Sequence, residues 1–496
     1  MDFKQFKSGT DIRGIAAEGV KDEHINLTDE VICAMAEGFL VWAEKKVNKS
    51  ADNMLISIGH DSRISADRIK NAVISVLINR GVKVLDCSLS STPSMFMTTV
   101  CKDCDAAIQI TASHHPFNRN GLKFFTRDGG VSGADITKML EYAGSGVTVA
   151  QAKGSVEKID FMSEYSKILR DTIIRETGSE KPLEGLKIIV DAGNGAGGFY
   201  AYNVLEPLGA DINGSQFLEP DGMFPNHIPN PENAVAMKAI SDATVNVGAD
   251  LGVIFDTDVD RASCVSSDGK EINRNRIVAL AAAIALENNQ GGTVVTDSVT
   301  SSGLKVFIEE NLGGKHHRFK RGYKNVIDEA IRLESEGVCA PLAIETSGHA
   351  AFKENYFLDD GAYLITKIII KMANLKKEGK TIADLISSLA EPKDLVELRF
   401  KIKVEDFRSY GEKVIEDLFK YAQEKGLDVA PDNHEGIRIS INNGWFLLRL
   451  SVHDPIMPLN IESDDENGCK EIAQVIYEFL KNYNDLDLSA IEDYLK

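Results

Sequence analysis

The sequence predicts an α/β protein that ends in a separate α+β domain, and three observations carry that prediction. Short β-rich runs recur along the chain, each closing in a cluster of Gly, Asp, Ser or Asn: MLISIGHDSR (54–63), AAIQITASHHP (106–116), LKIIVDAGNGAG (186–197), DLGVIFDTDVDR (250–261) and GTVVTDSVTSSG (292–303). Strands this continuously apolar are buried on both faces, as in parallel sheets. Helical patterns lie between them, notably at 66–80 and 274–287, and repeated strand, turn and helix is the pattern of α/β architecture. The last hundred or so residues read differently. Residues 395–404 alternate like a half-exposed strand, 410–425 form an amphipathic helix, and 471–483 another. Between them, 437–441, the turn Asn442-Asn443-Gly444 and 445–450 read as a β-hairpin.

A chain of 496 residues is long enough for three or four domains of ordinary size. The pattern shifts place them at 1–158, 159–270, 271–390 and 391–496, with 144–154 and the region of Pro392 as linkers. In 484–496, Leu and Ile alternate with acids, as in a short docking helix. A chain that is 43% hydrophobic and 26% charged has the balance of a folded protein, which excludes disorder and fibrous repeats. The longest apolar run, 277–286, is half the ~20 residues a membrane helix needs. Lys and Arg number 55 against 75 Asp and Glu, a net charge of −20, and such a surface repels nucleic acid and anionic membranes. An anionic substrate would require a locally basic cleft.

The opening MDFKQFKSGTDIRG has no apolar core, so no secretory signal is expected. The seven scattered cysteines then read as free thiols in a reducing cytoplasm. Cys101 and Cys104 form a lone C-x-x-C without the second ligand pair a structural zinc site needs. A redox pair normally opens a helix, whereas a strand-like run, 105–110, follows here, so two ordinary thiols are expected.

Ligands of open α/β sheets bind beyond the carboxyl ends of strands, so the polar turns there are where chemistry is sought. Thr111-Ala112-Ser113-His114-His115-Pro116, followed by Asn120-Gly121-Leu122-Lys123, offers a serine with a histidine and a lysine near it. Such a serine can be a nucleophile when a base or a cation-polarised electrophile assists it; a turn or N-cap serine is the commoner occupant. Asp256-Thr257-Asp258-Val259-Asp260-Arg261 sets three carboxylates at alternate positions. That spacing can converge oxygens on one hard cation, Mg²⁺ or Ca²⁺, but it lacks the Gly and Glu that an EF-hand loop needs. The competing reading is a solvated acidic loop. Arg261, directly after the acids, suggests that an anion meets the cation there. Glu345-Thr346-Ser347-Gly348-His349 carries donors and acceptors suited to sugar hydroxyls, and Arg449-Leu450-Ser451-Val452-His453-Asp454 a cation and hydroxyl suited to phosphate. Each of these two is weak alone.

Taken in order, the four loops resemble those of the α-D-phosphohexomutase family. Ser8-Gly9-Thr10-Asp11-Ile12-Arg13-Gly14 is similar to the family's opening signature, and TASHHP to its active-serine loop T-A-S-H-N-P, with His115 for Asn. FDTDVDR is similar to D-G-D-G-D-R with Thr257 and Val259 for the glycines, and ETSGH to G-E-x-S-G-H with Ile344 for the first Gly. Gly59 to Arg63, the turn Asp191 to Gly198, and Phe224-Pro225-Asn226-His227-Ile228-Pro229-Asn230-Pro231 are smaller echoes. The resemblance spans essentially the whole chain.

It implies three related α/β domains with mixed or parallel sheets and a fourth, α+β domain with an antiparallel sheet, around a central cleft. The implied reaction moves a phosphoryl group between the C1 and C6 oxygens of glucose or mannose phosphates. Ser113 would carry the phosphoryl group. Mg²⁺ would be held by its phosphate oxygen with Asp256, Asp258 and Asp260. Arg13, Arg261 and Lys123 would surround the transferring group, and His114, Lys123 and His349 are candidates for moving the sugar hydroxyl's proton. Glu345 and Ser347 would hold sugar hydroxyls, Lys320 would touch the substrate, and Arg449, Ser451 and His453 would grip the idle phosphate. Hexose 1,6-bisphosphate would be intermediate and activator. The phosphate loop departs furthest: where the family has R-P-S-G-T-E-P, Leu450, Val452, His453 and Asp454 replace Pro, Gly, Thr and Glu. A phosphoglucosamine mutase, a non-catalytic sugar-phosphate-binding paralogue and a metal-dependent phosphatase are the alternatives.

Overall fold

The computed structural model describes residues 2–146, 152–451 and 454–496. Val452 and His453, and part of the linker expected at 144–154, lie outside the described residues. The chain forms two compact units, Met1–Ile284 with Ser347–Leu385, and Ala285–Thr346 with Ile386–Lys496.

The first unit is built on two sheets. The larger has eight strands. Its path runs Lys7–Ser8, Asp11–Ile15, Arg119–Thr126, Ala106–Ile110, Leu55–His60, Lys83–Leu89 and Ser155–Lys158, with Gly129–Gly130 paired to Arg119–Thr126. Pairing is parallel from Ala106–Ile110 to Ser155–Lys158 and antiparallel on the other side. Every residue of Ala106–Ile110 is buried, the outcome its unbroken apolar run predicts. Helix Ala66–Asn79 occupies the predicted segment. Helix Thr92–Cys101 starts where Ser91 accepts a hydrogen bond from the backbone of Ser94 and Pro93 fills the first turn. Cys101 therefore ends a helix, where the dipole disfavours a thiolate, and burial pushes the Cys104 thiol up to about 11. Both are free thiols.

The second sheet of this unit runs Glu271–Ile272, Ala262–Ser266, Leu251–Phe255, Ile188–Asp191. Ile188–Asp191 and Leu251–Phe255 are parallel, and Leu251–Phe255 turns back into antiparallel Ala262–Ser266. The connection between those two is the acidic loop. A glycine-rich turn is laid on it: the Ala196 amide donates to the Thr257 carbonyl at 2.8 Å, and a Cβ on Gly195 would stand 2.6 Å from that carbonyl oxygen. The turn is fastened by buried Asp191, which accepts from the Gly193 amide at 2.8 Å, from Gln216 Nε2 at 2.7 Å and from His227 Nε2 at 2.9 Å. The other ring nitrogen of His227 faces the Ile228 carbonyl at 3.1 Å. Both ring nitrogens thus point at acceptors. Burial opposes charging the ring, but Asp191 outweighs it and raises His227 above its usual 6.5. Helices Asp29–Val47, Gly133–Gly144, Phe161–Thr177, Ala234–Val247 and Gly361–Lys376 also belong to the unit.

The second unit holds Thr293–Asp297 paired in parallel with both Lys315–Phe319 and Leu342–Ile344, beside helix Tyr323–Ser335. Its other sheet is wholly antiparallel: Asp394–Lys401, Ile456–Ser463, Gly444–Leu448, Ile437–Ile441, Asp428–Val429. The predicted hairpin is present with a tighter turn. Asn442 and Asn443 both take positive φ, 47° and 51°, and Gly444 already belongs to the second strand. That strand ends at Leu448, two residues before the expected end. The segment 484–496 contains helix Ser489–Leu495, and Ile491 enters the core of this unit with no exposed surface. No described helix is long and apolar enough to cross a membrane.

Two outcomes follow from the turn beneath the acidic loop. Gly195→Ala must push back the Thr257 carbonyl and should lower stability by about 1–3 kcal/mol in denaturant titration. His227 has a folded pKa raised above its unfolded one. Its contribution should be full below pH ~6.5 and fade as pH rises through the raised value. The gap in thermal midpoint between the wild type and His227→Gln should therefore be wider at about pH 5.5 than at about pH 8.5; an unchanged gap would refute the charged pair.

Candidate active site

Strand geometry brings the serine loop and two cations to one place in the first unit. Asp11–Ile15 pairs with Arg119–Thr126 so that Arg13 faces Gly121, and Lys123 faces Gln109 on Ala106–Ile110, the strand that leads into the serine loop. Gly121 is needed for this approach, because a Cβ there would lie 2.0 Å from the Ile12 carbonyl oxygen. Arg13 is half-buried and ion-pairs with Asp11 at 2.8 Å.

Ser113 is 4% exposed and sits at φ 50°, in the left-handed region, which costs a non-glycine residue about 1–2 kcal/mol. Its amide donates to Thr111 Oγ1 at 2.8 Å. Its hydroxyl oxygen accepts from an Arg261 terminal nitrogen at 2.7 Å, faces Asp256 Oδ2 at 3.1 Å and lies 3.2 Å from His114 Nδ1. A hydroxyl that donates to a carboxylate and accepts from a guanidinium is held in one orientation.

Asp256, Asp258 and Asp260 follow strand Leu251–Phe255 and are at most 1% exposed. One oxygen from each comes within 4.8 Å of the other two. The turn is closed by the Asp256 amide on the Arg261 carbonyl and by Val259 at φ 67°, a costly conformation for a β-branched residue. Thr92 Oγ1 donates to Asp258 Oδ2 at 2.5 Å, and Lys123 reaches Asp258 at 3.3 Å and Asp260 more closely. Burial, then the charge of Asp260, raises Asp256 well above the usual carboxylate range. At Asp260 burial is outweighed by Lys123, His349 and Arg261, which keep it ionised. Among the described residues, Asp258 Oδ1 and Asp260 Oδ1 have no hydrogen-bond partner although both are buried. Converging carboxylates with two orphaned oxygens fit a hard divalent cation, whose ligands are oxygens.

Ser347-Gly348-His349 is laid along the acidic loop by backbone contact. Arg261 and His349 form an antiparallel bridge, and the Ala262 amide donates to the Gly348 carbonyl at 3.3 Å. Gly348 has φ 93°, and a Cβ there would meet the Ala262 carbonyl oxygen at 2.5 Å. His349 Nδ1 faces Asp359 Oδ2 at 2.7 Å and Asp260 Oδ1 at 3.9 Å. Burial opposes its charge, but Asp359 and Asp260 raise it to about 9. His114 differs sharply: burial, then Arg261, pushes it down to about 2, so its Nδ1 is an acceptor, 2.5 Å from Arg261.

The remaining expected residues belong to the second unit and are described within it. Glu345 is buried and accepts from the Gly322 amide at 2.5 Å, and Lys320, two residues before Gly322, is exposed. Arg449 is half-buried; burial lowers its pKa and the nearby Glu435 opposes this. Ser451 Oγ accepts from the Asp454 amide at 3.2 Å. Leu450, which stands where the family has Pro, packs against Gly411 of helix Phe407–Lys425. His453 lies outside the described residues.

The structure thus brings Arg13, Ser113, His114, Lys123, Asp256, Asp258, Asp260, Arg261, Ser347 and His349 into one unit, and Lys320, Glu345, Arg449 and Ser451 into the other. Sequence reasoning missed Thr92 and Asp359, which hold Asp258 and His349. Neither carries a local signal. Asp359 is visible only as one of two adjacent acids ten residues beyond the histidine, and Thr92 only as a helix-starting Thr-Pro.

Comparison with known proteins identifies the family. Residues 4–144, 163–269 and 273–392 match, in order, the family profiles "Phosphoglucomutase/phosphomannomutase, alpha/beta/alpha domain I", "domain II" and "domain III". The phosphomannomutase/phosphoglucomutase of Pseudomonas syringae pv. tomato is 29% identical, over 97% of this chain and 97% of that protein. The phosphoglucomutase/phosphomannomutase of Thermococcus kodakarensis is 29% identical, over 98% of each chain. The crystal structure of a phosphoglucomutase/phosphomannomutase family protein from Burkholderia thailandensis superposes with a TM-score of 0.79 at 25% identity, covering 97% of this chain and 98% of that one. The serine loop falls within the first profile, the acidic loop within the second and the Ser-Gly-His loop within the third, so that the chain belongs to the phosphoglucomutase/phosphomannomutase family of α-D-phosphohexomutases and is a phosphohexomutase.

Proposed function

We propose that this enzyme interconverts the 1-phosphates and 6-phosphates of glucose, mannose or both, with Ser113 carrying the phosphoryl group and hexose 1,6-bisphosphate as intermediate. The observation that carries this reading is the position of Ser113 Oγ, 2.7 Å from Arg261 and 3.1 Å from one of three convergent carboxylates. A serine hydroxyl is a poor leaving group unless positive charge meets the developing alkoxide. In this reading the segments 1–158, 159–270, 271–390 and 391–496 are four domains, each contributing one loop.

The roles follow from charge and reach. Asp256, Asp258 and Asp260 would hold Mg²⁺ together with an oxygen of phosphorylated Ser113. When bound, that ion supplies Lewis acidity to the phosphoryl group and the departing serine oxygen. Arg261 orients Ser113 and, with Arg13, meets charge on the phosphoryl oxygens. Lys123 steadies Asp258 and Asp260. His349, braced by Asp359 and already carrying a proton at neutral pH, is the group we assign to protonate the sugar oxygen that gives up its phosphoryl group; His114 is committed to accepting from Arg261. The forward half-reaction forms a bond from the sugar oxygen to phosphorus, breaks the bond from phosphorus to Ser113 Oγ, and moves one proton from the sugar hydroxyl to the protein. The second half-reaction reverses these steps with the other sugar oxygen. Glu345, Ser347 and Lys320 would bind the sugar, and Arg449, Ser451 and His453 the phosphate that does not react. Leu450 faces the core, so the altered loop keeps its arginine and hydroxyl for an anion.

The deciding experiment follows phosphorus NMR of the protein with Mg²⁺ and a trace of glucose 1,6-bisphosphate, given glucose, mannose or glucosamine 1-phosphate separately. A 6-phosphate should form from glucose or mannose; formation from glucosamine alone would name the phosphoglucosamine mutase, and release of free phosphate alone a phosphatase. Ser113→Ala should lose at least roughly 10³-fold in turnover with an unchanged thermal midpoint. Asp258→Asn removes one of three anionic ligands and should raise the half-saturating Mg²⁺ concentration by roughly tenfold or more. Unchanged metal dependence would remove Asp258 from the cation site.

A further inference from the structure

Arg63 touches none of the reacting atoms, yet its side chain is fully buried beneath the serine loop. One terminal nitrogen donates to the carbonyls of Pro116 at 2.7 Å and Arg119 at 2.9 Å. The other donates to the carbonyls of Ser113 and, at 2.7 Å, His115. One guanidinium thus gathers four carbonyls between Ser113 and Arg119, from the serine loop and the first residue of the strand that follows it. Its counter-charge is Asp61, equally buried, with Oδ2 at 3.3 Å from Arg63 Nε and Oδ1 accepting from the Arg63 amide at 2.9 Å. Both residues stand at the end of strand Leu55–His60, which lies beside Ala106–Ile110 in the sheet. The ring of Phe224 covers the guanidinium at 5.2 Å, and the backbone there is tight enough that a Cβ on Gly222 would stand 2.4 Å from the Ser62 carbonyl oxygen.

We propose that Arg63, held by Asp61, is the positioning residue that fixes the Ser113 loop in its reactive conformation. The inference rests on reading Ser113 as the phosphoryl carrier. The physical need is visible at Ser113 itself, whose φ of 50° must be over-determined by its surroundings to persist. A planar fork can meet four carbonyls at once, while a lysine ammonium is a point donor that cannot span them. The loop's backbone, rather than any side chain near the substrate, is what Arg63 restrains. Its loss should therefore slow the chemical step without weakening substrate binding.

The test compares wild type, Ser113→Ala, Arg63→Lys and Arg63→Gly. Each is assayed for mutase turnover, for KM, and for the fraction of Ser113 that becomes phosphorylated from hexose 1,6-bisphosphate. In Arg63→Lys, kcat per phosphorylatable serine should fall roughly 10²-fold with KM within about twofold, as expected for a misplaced reacting group. In Arg63→Gly, low-millimolar guanidinium chloride should restore part of the lost kcat, and methylammonium should not, since only the planar cation fits. If Arg63→Lys keeps the wild-type rate per phosphorylatable serine and merely lowers the amount of such protein, the residue is structural only and the proposal fails. Equal rescue by both cations would overturn it as well. A wild type without mutase activity would instead defeat the functional reading on which the proposal rests, an outcome separable from these because it shows in the wild type alone.

Discussion

Three carboxylates confined to one buried turn repel one another, and much of the first unit can be understood as what that confinement requires. Asp256, Asp258 and Asp260 are nearly without solvent, so the surrounding positive groups must be supplied by the fold. Arg261 comes from the same loop, Lys123 from the larger sheet and His349 from the segment bridged to Arg261. Among the described residues, two carboxylate oxygens still lack hydrogen-bond partners. The three carboxylates converge beside the serine loop, and Ser113 Oγ lies 3.1 Å from Asp256 Oδ2.

Rigidity around the turn is achieved by close backbone contacts. Gly195, Gly348 and Gly121 each occupy a place where a side chain would strike a carbonyl oxygen. Where the family's acidic loop has glycines, this chain has Thr257 and Val259. Val259 keeps the left-handed backbone that a glycine would adopt without strain, so the loop's conformation is dictated by its neighbours and not by the residue. The Val259 carbonyl accepts from Gly361 at 3.1 Å, and the Asp258 carbonyl from Thr92 at 2.8 Å, which are two of the restraints that hold it.

Much of the fold was legible because it rests on patterns local to a few residues. Unbroken apolar runs became buried strands, the alternating run 395–404 became the half-exposed strand Asp394–Lys401, and Asn442-Asn443 became a turn with two positive φ angles. Errors were confined to ends, where a strand's last residues depend on partners the pattern does not contain: the hairpin's second strand stops at Leu448. The site was legible to the extent that chemistry sits in contiguous loops. Thr92, Asp359 and Arg63 escaped because each acts on a residue far along the chain, on Asp258, His349 and the loop of Ser113 respectively.

The sequence by itself determined the α/β class, the α+β end, the serine, the three aspartates and the family they resemble, because periodicity and contiguous motifs are local properties of a chain. The tertiary structure alone decided which charge each group carries and which partner holds it. His114 and His349 are the same residue type, yet one is pushed down to about 2 and the other raised to about 9. Both are buried. The difference lies in the neighbours: a guanidinium faces His114, and two carboxylates face His349. Electrostatic interaction depends on distance in space, and a sequence does not contain that distance.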